Sequence, residues 1–304
     1  MGLGIIVWGT KVALDNAVLI ARHYHVSDFF IGATVLAIGS DLPELLVSVN
    51  AALRQLDGEQ TANLIVGNAL GSCFGQFGLV MGLAGLFGQL TLPRRQVMRH
   101  GAVLLGAMAL LTFVGSDGLV TRWEGAVLVV TYITYLAVLI RDEGAFENIG
   151  GGPTAQMIKT WVLLLFGLGL VVVSSELIVR MALTLARNWG IDQSYIGIVI
   201  IGVGTSLPEL IISIGALVRS RVTLSVGNLV GSNILDVLLP IGIASLIVPI
   251  EFASSLLKLD VPILFALSLL VIVFLRLPQG VRKPQAIVLL SSYSAYLVIK
   301  TALL

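Results

Sequence analysis

The sequence predicts an all-α integral membrane protein, with about ten transmembrane helices arranged as two inverted five-helix repeats. Three observations carry this. The composition is too apolar for a water-facing surface, the apolar runs recur at spanning length, and one block of sequence returns in the second half of the chain. Of 304 residues, 57% are hydrophobic and only 12% charged, and the mean hydropathy is +1.01. A soluble domain carries about a quarter of its residues charged. Half that fraction leaves most of the surface for lipid. A net charge of +1 gives no basic footprint for nucleic acid. The single cysteine, Cys73, excludes an internal disulfide framework. The expected partners are the lipid bilayer and inorganic cations; no protein partner is indicated and no polar stretch is long enough to fold alone.

A spanning helix needs roughly 20 mostly apolar residues. Such runs lie near 1–22, 29–53, 63–88, 100–116, 121–140, 159–187, 194–218, 223–248, 256–276 and 284–303, the fourth being short. The first, Leu3–Ile20, lacks a basic flank before it and is expected to stay as a span, not to be cleaved as a signal. The longest hydrophilic connection runs from Arg141 to Lys159 and contains Gly150-Gly151-Gly152-Pro153. It reads as a flexible linker over 142–158, between a first repeat at 1–141 and a second at 159–304.

Lysine and arginine set the orientation, because cytoplasmic loops carry the excess. With the N-terminus outside, the inner loops hold Arg22, Arg94, Arg95, Arg99, Arg141, Lys159, Arg219, Arg221, Arg276, Arg282 and Lys283. The outer side holds Arg54, Arg122, Arg180, Arg187, Lys258 and Lys300. Eleven against six places both termini outside a cell membrane.

The repeat is the most specific signal. The segment Ile31–Leu45, containing Gly39-Ser40-Asp41-Leu42-Pro43-Glu44, returns as Ile196–Leu210, containing Gly204-Thr205-Ser206-Leu207-Pro208-Glu209. Downstream, Val66-Gly67-Asn68-Ala69-Leu70-Gly71-Ser72 returns as Val226-Gly227-Asn228-Leu229-Val230-Gly231-Ser232. Five spans per half, an odd number, make the second copy enter the membrane in the opposite direction. Each copy puts Gly and Pro inside an apolar run just before a glutamate, so each helix should kink or unwind there. Irregular backbone at membrane depth is tolerated only where protein or a wet cavity covers it. Paired interruptions therefore point at a binding site.

Six carboxylates lie deep in the predicted spans: Asp15, Asp41, Glu44, Glu176, Glu209 and Asp236. A charge at that depth is costly and marks function by default. Asp15 stands four residues after Lys11, and Glu176 four before Arg180, so these two read as structural ion pairs within or between the first and sixth spans. Glu44, Glu209 and Asp236 have no base in their own spans short of the ends, and a bound cation or protons must neutralise them. The donors around them are hydroxyls (Ser40, Thr205, Ser206, Ser72, Ser232) and amides (Asn68, Gln76, Asn228, Asn233). These are hard oxygen ligands, suited to Ca2+ and alkali ions and not to zinc or copper. Gly67, Gly71, Gly227 and Gly231 have the spacing of close helix packing, not of ligands. His23, His25 and His100 stand at span ends, where an interfacial role is expected.

At these residues the chain resembles the sodium/calcium exchanger family of the calcium/cation antiporter superfamily. That signature reads G-[ST]-S-x-P-E followed by G-N-x-x-G-S-[NC]-x-x-[ND], once per half. The resemblance implies that Glu44 and Glu209 are central ligands. It further implies that Ser40, Thr205, Ser206, Ser72, Ser232 and Asp236 complete a set of Ca2+ and Na+ sites, with no organic cofactor. The first and sixth spans are expected to move as a pair against the rest.

Two residues depart from the pattern: Asp41 stands where the family has serine, and Gln76 where it has asparagine. Asp41 lies three residues before Glu44, so the two share a face in near-helical geometry. One of two carboxylates so close should bind a proton or share a cation. Function therefore reads as Ca2+/Na+ antiport, with Ca2+/H+ exchange the alternative. A channel uses the same kind of oxygen ligands, but inverted repeats favour alternating access. An intramembrane aspartyl protease using Asp41 and Asp236 is the remote alternative. It leaves the repeated glutamates unexplained, and no enzyme activity is expected.

Overall fold

Apolar runs separated by Gly, Pro and charged residues fold into helices throughout the chain. The computed structural model describes the backbone of residues 2–142, 155–188 and 206–302. It describes their side chains except at 2–3, 176, 178–180, 182–183 and 185–188. The helices are α1 (Gly2–His23), a pair bent by 45° comprising α2 (Asp28–Ser40) and α3 (Leu42–Leu56), α4 (Ala62–Phe87), α5 (Arg94–Val114) and α6 (Arg122–Asp142). The second half contributes α7 (Ala155–Asn188), α8 (Leu207–Val218), α9 (Val222–Ile247), α10 (Leu256–Arg276) and α11 (Lys283–Ala302). Among the described residues, seven helices are long and apolar enough to cross a membrane, or eight if the bent pair counts as one span. Helix α8 is shorter, and the N-terminal part of the span expected over 194–218 falls outside the described residues.

The fourth span is longer than its apolar run suggests. Helix α5 starts at Arg94, directly after Pro93 with φ −54°, and so takes in Arg94, Arg95 and Arg99. Arginines carry their charge on long stems, and a helix end can absorb them without leaving the interface. Arg99 makes an ion pair with Asp142 at the far end of α6.

Contacts between loops join the two halves. Leu119–Val120 pairs antiparallel with Ile250–Glu251, and Gln55 Nε2 donates to the Pro249 carbonyl at 3.1 Å. At the opposite set of turns, Leu90 and Val281 exchange backbone hydrogen bonds of 2.8 and 2.9 Å, Gln89 reaches the Gln279 carbonyl, and Arg221 meets Asp28 at 3.2 Å. Each contact links a turn of the first half to a turn of the second.

Two apolar cores form. The larger gathers α2 to α6 around α9, α10 and α11. The smaller lies between α1 and α7 and touches Ile31, Leu36, Ile212, Ala216 and Leu224. Helices α1 and α7 approach closely at Gly9 and Gly167; a Cβ on Gly167 would sit 2.6 Å from the Ala13 nitrogen. The first and sixth spans thus share a core of their own.

One charged group has a partner different from that expected. Asp15 does not close a pair with Lys11; its carboxylate lies 3.8 Å from Arg219, at the end of α8. The Glu176 and Arg180 side chains fall outside the described residues. His100, seven residues into α5, is buried against the protein, 4.3 Å from the Phe29 ring and with Nδ1 3.3 Å from the Tyr135 hydroxyl.

Asp260 carries a buried charge that its place near a span end concealed. Lys300 Nζ contacts both its oxygens, at 2.8 and 2.7 Å, and the Tyr296 hydroxyl donates to Oδ1 at 2.6 Å. Removing one partner of a buried pair leaves the other uncompensated, at a cost of about 3–5 kcal/mol. Lys300→Met should therefore lower the thermal midpoint of the detergent-purified protein steeply. Asp260→Asn combined with Lys300→Met should recover most of the loss. An unchanged midpoint in the single variant would refute the pairing.

Candidate functional site

The two Pro-Glu segments build one site. In the first half, α2 ends at Ser40, and Asp41 with φ −86°, ψ 3° turns the chain into α3. Ser206, the residue equivalent to Asp41, has φ −89°, ψ 9° and begins α8. The interruption expected in the first half is a 45° bend, with the break at Asp41. Pro43 and Pro208 lie in the first turn of α3 and α8, where a missing N–H removes no helical bond. Glu44 and Glu209 follow in those same first turns. A helix N-terminus presents free N–H groups and a partial positive charge, which favours a carboxylate there.

All four site carboxylates are buried: Asp41, Glu209 and Asp236 at 0% exposure and Glu44 at 1%. They lie within electrostatic range of one another. Both oxygens of Asp41, Glu44 and Glu209, and Oδ1 of Asp236, have no hydrogen-bond partner among the described residues. Nor does a described arginine, lysine or histidine pair with any of them. The hydroxyls of Ser72, Ser206 and Ser232 are buried and unpartnered as well. Ser72 lies beside Glu44, and Ser40 beside Glu209. Unpaired buried carboxylates cost several kcal/mol each unless a proton or a cation neutralises them.

The pocket is not a compact chelate. Among the described residues no three acidic, histidine or cysteine side chains converge as a metal-binding group. Carboxylates are interspersed with hydroxyls and amides instead, all of them hard oxygen donors or their neighbours. Asn68 Nδ2 donates to the Glu44 carbonyl at 3.2 Å, and Asn228 Nδ2 to Ser213 Oγ at 3.3 Å. Gln76 Nε2 donates to Asp236 Oδ2 at 2.8 Å, while Asn233 Nδ2 donates to Gln76 Oε1 at 2.7 Å. Thr205 lies outside the described residues.

Close backbone packing holds α9 against α2. A Cβ on Gly227 would lie 2.6 Å from the Phe29 carbonyl oxygen, and one on Gly231 2.5 Å from Ala33 Cα. A Cβ on Gly32 would in turn collide with the Leu224 carbonyl oxygen. These glycines serve packing, as their spacing suggested. Around Gly67 and Gly71 no described atom lies within 4 Å of an added Cβ; residues 194–205, the repeat counterpart of 29–40, fall outside the described residues. Sequence reasoning missed Ser48 and Tyr132, two buried, unpartnered hydroxyls, the latter within electrostatic range of Asp41 and Asp236. Ser48 repeats as Ser213, a signal available in the sequence; Tyr132 had none.

A sequence profile of the sodium/calcium exchanger protein family matches residues 1–141 and 159–302, both halves of the chain. The chain belongs to the sodium/calcium exchanger family. It is a multi-pass helical membrane protein, and its relatives span it almost completely. An uncharacterized membrane protein of Methanocaldococcus jannaschii is 32% identical over 96% of this chain and 93% of its own length. The sodium/calcium exchanger MaX1 of Methanosarcina acetivorans is 26% identical over 98% and 96%. A structure of the sodium-calcium exchanger NCX_Mj, soaked with Na+ and Sr2+, superposes with a TM-score of 0.85 at 30% identity, covering 98% of this chain and 95% of that one. The family profile skips 142–158, the stretch read as a linker.

Proposed function

We propose that the protein is a secondary active antiporter that exchanges Ca2+ against Na+ by alternating access, at a site near the bilayer midplane. The observation that carries this is the pair Glu44 and Glu209. The two glutamates are fully buried with all four oxygens unpartnered, in the first turns of two equivalent half-helices. Two carboxylates compensate one divalent ion, and the same oxygens serve monovalent ions when it leaves. Ser40, Ser72, Thr205, Ser206 and Ser232 supply neutral ligands, and Asp41, Asp236 and Gln76 shape the remaining positions.

The architecture is ten spans in two inverted repeats, 1–141 and 159–304, joined by the linker 142–158, with both termini external. The matched backbone angles at Asp41 and Ser206 support the repeat. Loop contacts that never cross from one side of the span order to the other support the alternation. The separate core shared by α1 and α7 suits a pair that slides over the ion site.

One observation favours a second reading, in which protons replace Na+: Asp41 adds a buried carboxylate with both oxygens unpartnered. Uptake of 45Ca2+ into proteoliposomes under separately imposed Na+, K+ and H+ gradients decides between them. Uptake driven by Na+ supports the first reading; uptake that ignores Na+ and follows the pH gradient supports the second. No uptake under any gradient overturns both. Asp41→Ser should strengthen Na+ dependence and flatten the pH profile, because it removes the extra group that can exchange a proton for a cation. An identical profile in the variant would make Asp41 a bystander.

A further inference from the structure

Gln76 and Asp236 occupy the same position in the two repeats, four residues after Ser72 and Ser232, and they touch. Gln76 Nε2 donates to Asp236 Oδ2 at 2.8 Å, with both side chains at 0% exposure. The direction of that bond is dictated by a chain of donors. The Leu229 carbonyl can only accept, so Asn233 turns its NH2 group toward it, at 3.0 Å. The second hydrogen of that group goes to Gln76 Oε1 at 2.7 Å. Gln76 is then left with its NH2 facing Asp236. The amide cannot flip without breaking two buried hydrogen bonds and facing NH2 against NH2.

The backbone reinforces this orientation. Gly75–Val80 widens into a π-helical turn within α4, whereas α9 runs as regular α-helix through Asp236. Such turns re-aim side chains, often at functional positions. Packing against α11 holds the turn, where a Cβ on Gly78 would lie 2.6 Å from Tyr293 Cβ. Glutamine also carries one methylene more than asparagine, which extends its amide toward Asp236.

A carboxylate oxygen that accepts an N–H faces a partial positive charge where a cation would sit. Asp236 is therefore half engaged: Oδ2 is taken and only Oδ1 is free. No amide takes an oxygen of Asp41, Glu44 or Glu209 among the described residues. We infer that Gln76 is a specificity-determining residue: its locked amide stands in for a monovalent cation at Asp236 and reduces by one the number of monovalent ions the site holds. This deepens the exchanger reading and rests on it for its meaning in transport, but the claim about ion occupancy can be measured on its own.

The test compares the full-length wild type with Gln76→Asn, whose amide is one methylene shorter, and Asn233→Ala, which frees the Gln76 amide to rotate. Purified protein is titrated with NaCl at constant ionic strength made up with choline chloride, and the thermal midpoint is followed. Gln76→Asn should gain Na+ stabilisation with a Hill slope higher than wild type by about one, since each added site adds to the cooperative limit. Asn233→Ala should shift the same way but less. A merely structural role would lower the midpoint equally at every Na+ concentration. Equal Na+ slopes in the wild type and both variants would overturn the inference. In proteoliposomes, the Na+ exponent for 45Ca2+ uptake should rise in parallel. Failure of the exchanger reading shows separately, as a wild type that takes up no 45Ca2+ under any gradient, while the thermal comparison still decides the role of Gln76.

Discussion

Glu44→Gln and Glu209→Gln should each reduce Ca2+ uptake by about two orders of magnitude or more, because a buried charge that loses its partner costs about 3–5 kcal/mol. Glutamine keeps the shape and one oxygen but removes a unit of charge. Glu44 and Glu209 hold equivalent places in the first turns of α3 and α8, and Asp41 and Asp236 stand in other places, so the loss of either glutamate leaves a divalent ion short of one central ligand charge. The folded protein should survive, since an uncharged side chain is easier to bury than an unpaired carboxylate. Both variants are then expected to insert, to elute as the wild type does on size exclusion, and to match or exceed its thermal midpoint without ions. Flux retained in either variant rejects the assignment of the site. The equal severity of the two is part of the expectation, because the repeat gives them the same place in the first turns of α3 and α8.

The second large effect is mechanical. Gly231→Val should lower the thermal midpoint and abolish transport together. Its Cβ would meet Ala33 at 2.5 Å from Cα and 2.6 Å from the carbonyl oxygen. Those are backbone atoms, so no rotamer change relieves the clash and helix α2 has to move. Overpacking a core by a methylene or more costs about 1–3 kcal/mol, and displacement of backbone belongs at the upper end. Helix α2 leads directly to Asp41 and Glu44, so the shift reaches the ion ligands. Gly106→Ala is the control: no described atom lies within 4 Å of its Cβ, and the change should add about 0.5–1 kcal/mol of helix propensity. If Gly231→Val transports normally and melts with the wild type, α2 and α9 are not packed as described.

Much of this protein was legible in the chain itself. Two Pro-Glu segments in matched apolar runs pointed at Glu44 and Glu209, because a carboxylate without a base at membrane depth is expensive wherever the helix ends up. The helix break near Asp41 and the packing glycines Gly227 and Gly231 followed from local rules of the same kind. Each of these depends on a short segment and its solvent.

What only the tertiary structure decided concerns partners. Asp15 had Lys11 one turn away, yet pairs with Arg219, because the direction of a side chain on a packed helix is set by what crosses it. Asp260 and Lys300 meet across two helices, and His100 is buried because Phe29 packs over it. Gln76 and Asp236, 160 residues apart, form a direct bond that no periodicity foretold. Local sequence determines which residues are costly to bury and where a helix must break. Which group offsets that cost depends on the crossing of helices distant in the chain, and only the folded bundle determines it.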